Sequence, residues 1–184
     1  MAKQVLFIHG GGEGAHAEDS KLVASLSEKL GPSYNVRYPK MPNEDEPDYQ
    51  AWQQLISKEL AAMGEGAILV GHSIGGSVVI KYLADQDLKK KSVAGAFLVS
   101  APFWYDDEFW RWPEVQLPSK VSTMLPSGLP VFLYHGRADE VVPFDHVEMY
   151  AEMLPLAIVR RLDGRNHQLN DDLTEVANDI GQLR

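Results

Sequence analysis

The chain has 184 residues, of which 45% are hydrophobic, and its formal net charge is −9. That length suits one domain, taken here as residues 1–184, and the apolar content is enough for a full core. The acidic balance argues against nucleic acid and against an anionic membrane surface as partners, and leaves a small-molecule substrate. The absence of cysteine excludes disulfides, thiolate catalysis and cysteine-ligated zinc.

Apolar runs and helical patterns alternate along the chain. Apolar runs predict strands at 5–8, 67–70, 93–99 and 130–135, and two runs of mixed polarity are interpreted as strands at 35–38 and 158–162. Helical stripes separate most of them, with Asp48 as a predicted cap of one helix and Asn170 or Asp171 as the cap of the last. Strands of this kind separated by helices predict a mostly parallel, six-stranded sheet covered on both faces, an α/β/α sandwich of three layers.

Residues 71–75 read Gly-His-Ser-Ile-Gly, a G-x-S-x-G pattern. An apolar strand precedes the pattern and a helical run follows it. A sharp turn in that position holds a serine hydroxyl above the end of a sheet, where a base can reach it. Ser73 is therefore the candidate nucleophile.

A serine nucleophile needs a base to take its proton, and the base needs an acid to orient it. His167 follows the last predicted strand, and Asp139 follows the strand before. Loops at the carboxyl ends of parallel strands converge on one edge of a sheet, so these two groups are expected beside Ser73. Other carboxylates nearby, Glu140 and Asp163, are weaker candidates for the acid.

These motifs resemble those of the α/β-hydrolase superfamily, and the likeness covers nearly the whole chain. Its most specific elements are residues 71–75, the His9-Gly10-Gly11 turn after the first strand, and residues 136–143. The order Ser73, Asp139, His167 is the order of that superfamily. In size the chain is similar to the small retinoblastoma-binding-protein-like serine hydrolases. The resemblance implies a reduced α/β-hydrolase fold, a Ser-His-Asp catalytic triad and no cofactor.

The resemblance also places an oxyanion hole at two backbone N–H groups. One is that of Ile74, which follows the nucleophile, and the other is that of Gly11, with Gly12 as the alternative. His9 and Gly12 are expected beside the substrate pocket, with His9 also fixing the turn. Glu13 lies close to this loop and either points outward or attracts an amine-bearing substrate.

The segment 101–128 is predicted to be a lid-like insertion. Its first half is unusually aromatic, and Phe103, Trp104 and Trp110 are expected to line an apolar substrate pocket and exclude water. Two alternatives remain open for these rings. They could pack into the core, or they could form an exposed patch that binds a protein partner.

The function expected from these residues is that of a serine hydrolase, carboxylesterase-like, which cleaves esters or related acyl compounds. A first alternative is a non-catalytic binding or scaffold protein on the same fold. A second is a dinucleotide-binding oxidoreductase, because residues 10–15 fit G-x-G-x-x-A after a strand and Glu28 could bind a ribose.

The remaining expectations concern metals and location. The histidines lack the spacing of a metal site, so no metal is expected. The apolar run at the N-terminus is too short for a signal peptide, and no apolar run approaches the length of a membrane span. We therefore expect a cytoplasmic protein that binds a small acyl substrate.

Overall fold

Six parallel strands form the centre of the molecule. A computed structural model describes residues 2–86 and 93–183. The sheet has the order β2-β1-β3-β4-β5-β6, and every neighbouring pair is parallel. The strands are β1 Lys3–Ile8, β2 Tyr34–Arg37, β3 Ala67–His72, β4 Val93–Val99, β5 Val131–Gly136 and β6 Ile158–Leu162.

Helices connect the strands and cover the sheet. They are α1 Ala15–Leu30, α2 Tyr49–Met63, α3 Ile74–Asp85, α4 Val121–Met124, α5 Asp145–Met153 and α6 Thr174–Gly181. Two short 3-10 turns occur at Gly31–Ser33 and Leu169–Asp171. In the part of the chain that the structure describes, no helix combines the length and the hydropathy that a membrane span requires.

The core lies on both faces of the sheet because side chains alternate along each strand. In β1, Leu6 and Ile8 join an apolar cluster with residues of α2, α3 and α5. Val5 and Phe7 join a second cluster, which contains residues of α1 and α6. The predicted α/β fold, a parallel six-stranded sheet between two helical layers, is confirmed.

Strand β6 is an edge of the sheet and is tied to both helical layers by arginines. Arg160 donates two hydrogen bonds to Asp179 of α6, of 2.7 and 3.0 Å. Arg161 donates two to Glu148 of α5, of 2.6 and 2.7 Å. Such paired, charge-assisted contacts fix geometry better than single ion pairs do.

The two predicted helix caps have different outcomes. Asp48 caps α2 as predicted, since its carboxylate accepts a hydrogen bond of 2.7 Å from the Ala51 N–H. The cap predicted for the last helix was wrong. Asn170 and Asp171 lie in the preceding turn with positive φ. The carboxylate that meets the start of α6 is that of Asp172, which accepts from the Thr174 N–H at 3.0 Å.

Candidate active site

Ser73 lies in a strained turn between β3 and α3. Its φ of 50° and ψ of −127° are rare for a residue with a side chain. The Ser73 N–H donates to the Val99 carbonyl at 2.8 Å, which fixes the turn to β4. A Cβ on Gly71 would lie 2.5 Å from the Gly75 carbonyl oxygen, and one on Gly75 would overlap the Ile8 carbonyl. The two glycines of the motif are therefore required by close approach of the backbone.

Asp139 and His167 meet at the carboxyl end of the sheet, after β5 and β6. His167 Nδ1 lies 2.9 Å from one Asp139 carboxylate oxygen and 3.1 Å from the other. Because the carboxylate can only accept, Nδ1 carries the proton, and Nε2 of the neutral ring is left to act as a base. The acid and base predicted from the sequence are thus hydrogen-bonded to each other.

The Asp139 carboxylate is fully buried and receives further hydrogen bonds. Its Oδ1 accepts from the N–H groups of Val141 at 2.9 Å and Val142 at 2.8 Å. His135 Nε2 lies 3.2 Å from Oδ2. Burial alone would raise the pKa of Asp139, but the hydrogen bonds from His135 and His167 and the charge of His167 outweigh it. They hold the pKa of this carboxyl far below its usual range.

Ser73 and His167 line the same cavity, which has a volume of about 210 Å³. No hydrogen bond joins the Ser73 hydroxyl to His167 among the contacts of the described chain. The ring of His72 packs against that of His167, with centroids 4.9 Å apart. The structure therefore brings Ser73 and His167 to one cavity and pairs His167 with Asp139.

The glycine loop after β1 offers one free N–H group. The Gly10 N–H donates to Asp19 Oδ2 at 2.8 Å, and the Gly12 N–H donates to the Glu44 carbonyl at 2.6 Å. In residues 2–86 and 93–183, the Gly11 N–H donates no hydrogen bond. The Ile74 N–H is equally free, since the first N–H groups of a helix have no intrahelical partner. Of the three predicted oxyanion donors, Gly11 and Ile74 thus keep an N–H group without a hydrogen bond in the described chain, and Gly12 does not.

Gly11 and Ile74 also lie against each other. A Cβ on Gly11 would be 2.6 Å from Ile74 Cδ1, so a side chain at this position would require the Ile74 side chain to shift. A Cβ on Gly10 would be 3.3 Å from Ser73 Cβ. The glycine loop therefore passes directly beside the nucleophile turn.

His9 does not face the cavity, contrary to its predicted place beside the substrate pocket. It is fully buried, and its Nε2 accepts a hydrogen bond of 2.8 Å from the Met41 N–H. Its Nδ1 then carries the proton and donates to the Gly10 carbonyl at 2.6 Å. Burial is the main cause that lowers the pKa of His9. His9 is a neutral residue that fixes the glycine loop.

The aromatic segment is placed differently from the predicted pocket wall. Phe103 and Trp104 are half-buried and pack against the apolar cluster on the α3 side of the sheet. Trp110 packs against His146, with ring centroids 4.5 Å apart. None of these three side chains, nor Gly12, belongs to the lining of the cavity at Ser73. For Phe103 and Trp104, the alternative of packing into the core is the one observed.

Sequence reasoning missed Asp19, a buried carboxylate of α1. Besides Gly10, Asp19 Oδ2 contacts His72 Nδ1 at 2.9 Å. Burial alone would raise the pKa of Asp19, but the charge of His72 and three hydrogen bonds outweigh it and lower the pKa. The signal was present in the sequence, because Asp19 shares the buried stripe of α1 with Ala15, Leu22 and Leu26. A carboxylate on an apolar stripe needs a partner.

The mouth of the cavity is acidic, but not through Glu13. Glu13 is exposed and lies outside the lining, whereas Glu18 and Glu140 belong to it. Glu140 Oε2 also accepts a hydrogen bond of 3.3 Å from the His167 N–H. The cavity therefore favours neutral or cationic groups over anionic ones.

The site does not suit a dinucleotide. Glu28 is exposed in the last turn of α1 rather than at the end of β2. Asp19 and Glu44 already accept hydrogen bonds from two of the loop N–H groups that a pyrophosphate would need. Across the described ranges, no three His, Cys, Asp or Glu side chains are arranged to hold a metal ion.

A larger groove of about 460 Å³ lies elsewhere, between α4 and the turn after α5. Its lining is mostly apolar and includes Leu125, Leu129 and Leu154, but none of Ser73, Asp139 or His167. Size alone would favour this groove. The chemistry favours the smaller cavity, because Ser73 and His167, the predicted nucleophile and base, line it together with Gly11.

Comparison with known families agrees with this geometry. The model of a family described as serine hydrolase matches residues 15–172, well over half of the chain. No curated protein sequence matches the chain.

Solved structures share the fold at low sequence identity. The chain is similar to serine hydrolase CCSP0084 from Cycloclasticus zankles, with a TM-score of 0.76, 15% identity and coverage of 98% of this chain and 89% of that one. For esterase RhEst1 from Rhodococcus sp. ECU1013 the TM-score is 0.72, the identity 20% and the coverage 100% and 92%. For the meta-cleavage product hydrolase CumD from Pseudomonas fluorescens IP01 the TM-score is 0.74 and the identity 17%, with coverage of 99% of this chain and 90% of that one. At these identities the likeness shows the α/β-hydrolase fold alone.

Proposed function

The chain belongs to the serine hydrolase family, and we propose that it hydrolyses small esters or related acyl compounds through an acyl-enzyme on Ser73. The observation that carries this proposal is the Asp139–His167 hydrogen bond of 2.9 Å beside a cavity that Ser73 also lines. A buried carboxylate, an oriented imidazole and a serine on a strained turn are the parts that acyl transfer requires.

In the first half of the reaction, Ser73 Oγ bonds to the substrate carbonyl carbon while His167 Nε2 takes the hydroxyl proton. The hydrogen bond between these two side chains forms as substrate binds, as catalytic contacts often do. Asp139 stabilises the imidazolium, and the Gly11 and Ile74 N–H groups stabilise the oxyanion. The bond from the acyl carbon to the leaving oxygen then breaks, and His167 gives its proton to that oxygen.

In the second half, water replaces the leaving group. His167 Nε2 takes a proton from the water, whose oxygen attacks the acyl carbon. The bond to Ser73 Oγ breaks, and His167 returns the proton to the serine. Both halves use the same base and the same N–H donors, so no further group is needed.

The cavity indicates the substrate class. Its volume of about 210 Å³ is below the lower end, about 300 Å³, of pockets that enclose drug-sized ligands. We therefore expect short acyl chains. The esterase RhEst1 and serine hydrolase CCSP0084 are structural neighbours whose names agree with acyl chemistry. Glu18 and Glu140 at the mouth oppose anionic substrates.

A panel of p-nitrophenyl esters of increasing chain length tests the proposal. We expect the highest kcat/KM for acetate or propionate esters and lower values for long chains. Ser73→Ala and His167→Ala should each reduce kcat by about 10⁴-fold or more, and by similar factors, because triad members act as a unit. A fluorophosphonate probe should label the wild-type protein and fail to label Ser73→Ala.

Ser27→Ala is the matched control, since Ser27 is an exposed serine of α1. It should keep wild-type activity and labelling. If folded wild-type protein neither hydrolyses any ester of the panel nor reacts with the probe, the hydrolase proposal fails. The non-catalytic binding protein would then be the better description.

A further inference from the structure

The imidazole of His72, the residue before the nucleophile, is buried between two acceptors. Its Nδ1 lies 2.9 Å from Asp19 Oδ2, and its Nε2 lies 3.1 Å from the backbone carbonyl oxygen of His167. The side chains of His72 and Asp19 are each 2% exposed. Water therefore cannot take the place of either contact.

Neither neighbour of His72 can donate a proton. A carbonyl oxygen only accepts. Asp19 also accepts from the Gly10 N–H at 2.8 Å and from Gln168 Nε2 at 3.1 Å, so its two oxygens are surrounded by donors and the group is a carboxylate. Both nitrogens of the His72 ring must then carry hydrogen. A neutral ring would direct a lone pair at one of the two acceptors.

We propose that His72 is held as an imidazolium by Asp19, and that this pair is a positioning device for the active site. The inference rests on the proposed hydrolase function. The pair links three segments, since Asp19 holds the glycine loop, His72 precedes Ser73, and the His72 Nε2–H holds the loop that carries His167. The glycine loop, the turn that carries Ser73 and the loop that carries His167 are thereby fixed to one another.

Several charged groups face His72, and their balance maintains its charge. Asp19 of α1 is the direct partner, Asp139 lies behind the His167 ring, and Glu18 and Glu140 belong to the same cavity. The ring of His167, a potential cation, packs against that of His72. Burial favours the neutral ring, but Asp19 outweighs it, and the pKa of His72 is raised.

Heteronuclear NMR on protein with isotope-labelled histidine tests the protonation state without reference to activity. At about pH 8, above the ordinary histidine pKa of about 6.5, His72 should retain two ring N–H protons. The signal is assigned by its absence in His72→Gln. A neutral, singly protonated His72 at that pH in the wild-type protein would overturn the proposal, whatever the protein hydrolyses.

Kinetics on Asp19→Asn test the positioning role. The amide keeps the shape of the carboxylate but removes its charge, so His72 should become neutral at a lower pH. We expect kcat to fall by about 10- to 100-fold with little change in KM, and the loss to grow as pH rises from 6 toward 8. Wild-type activity should not decline over that range.

Asp45→Asn is the control, because Asp45 is an exposed carboxylate outside the site. It should behave as the wild-type protein does. If Asp19→Asn keeps the wild-type kcat and pH profile, the pair has no positioning role. If Asp19→Asn does not fold, the NMR measurement on the wild-type protein still decides the protonation state. A wild-type protein inactive on all esters would contradict the hydrolase function and leave that measurement valid.

Discussion

At the scale of single residues, the buried acid of the site is the most constrained group. The Asp139 carboxylate accepts from two backbone N–H groups and contacts two histidines, His135 and His167. Its Oδ1 accepts from both backbone N–H groups, and its Oδ2 is the oxygen nearer to His167 Nδ1 and lies 3.2 Å from His135 Nε2. Because the two oxygens have different partners, replacing the carboxylate by an amide should orient the amide in one way.

Asp139→Asn should disable the base without unfolding the protein. The amide oxygen would keep the two backbone N–H groups, so the NH₂ group would face His167. Nδ1 would then have to accept, and the proton would move to Nε2, the nitrogen that must be free. A wrong tautomer of this kind costs about 10⁴-fold in kcat.

This outcome is measured as kcat with p-nitrophenyl acetate, beside a circular dichroism spectrum of each variant. Asp163→Asn serves as the control, because Asp163 is a highly exposed carboxylate after β6. Equal activity of Asp139→Asn and the wild-type protein would mean that another group orients His167.

At the scale of secondary-structure elements, the strands and most helices were predictable because their signals are local. A run such as residues 93–99 is apolar throughout, and a buried parallel strand is the structure that accommodates it. The start of α6 was not predictable, because Asn170 and Asp171 adopt positive φ and extend the turn. Asp172, one residue later, meets the helix instead.

The start of α2 gives a stability prediction at this scale. Asp48→Ala removes the carboxylate that accepts from the Ala51 N–H, so it should lower the free energy of unfolding by about 1 kcal/mol. Urea denaturation measures the change. Asp45→Ala, in the same loop but exposed, should stay within about 0.5 kcal/mol of the wild-type value. Equal losses in the two variants would show that the Asp48 cap contributes nothing.

At the scale of the whole molecule, the sequence predicted which three residues the structure brings together at the candidate site, but not all of their contacts. Ser73, Asp139 and His167 could be found because motif spacing and strand order bring them to one edge. The apolar stripe of α1 signals that Asp19 needs a partner, but the identity of that partner, like the contact of His135 with Asp139, depends on tertiary structure and has no local signature. The aromatic rings were misplaced for the same reason. The residue types of Phe103 and Trp104 indicate that both rings avoid water. They do not indicate which apolar surface the rings cover.

The stability of the molecule should depend on pH through its buried carboxylates. The pKa values of Asp19 and Asp139 are lowered in the folded state, the former mainly by His72 and the latter by His135 and His167, against burial. A carboxyl with a lowered folded pKa contributes stability above its unfolded pKa of about 3.9 and loses it as pH falls. His72, with a raised pKa, contributes below about pH 6.5 and loses its contribution as pH rises through the folded value.

We therefore expect the greatest stability between about pH 5 and pH 7, with a decline on the acid side. The urea midpoint, measured across the acid and neutral range, is the test. Asp139→Asn should show a shallower acid decline, because it lacks one of the responsible carboxyls. A midpoint that is constant down to about pH 3 would contradict the pKa shifts inferred from the structure.

The two arginines of the edge strand β6 have a further consequence for the loop that follows it. Arg160 and Arg161 project to opposite sides and are anchored to different helices, while the loop carrying His167 begins just after that strand. The two guanidinium groups therefore hold this edge strand against both helical layers. In this way they stabilise the start of the loop that carries His167. Both arginines also place positively charged side chains along the edge of the sheet, which opposes pairing of β6 with a strand of another molecule.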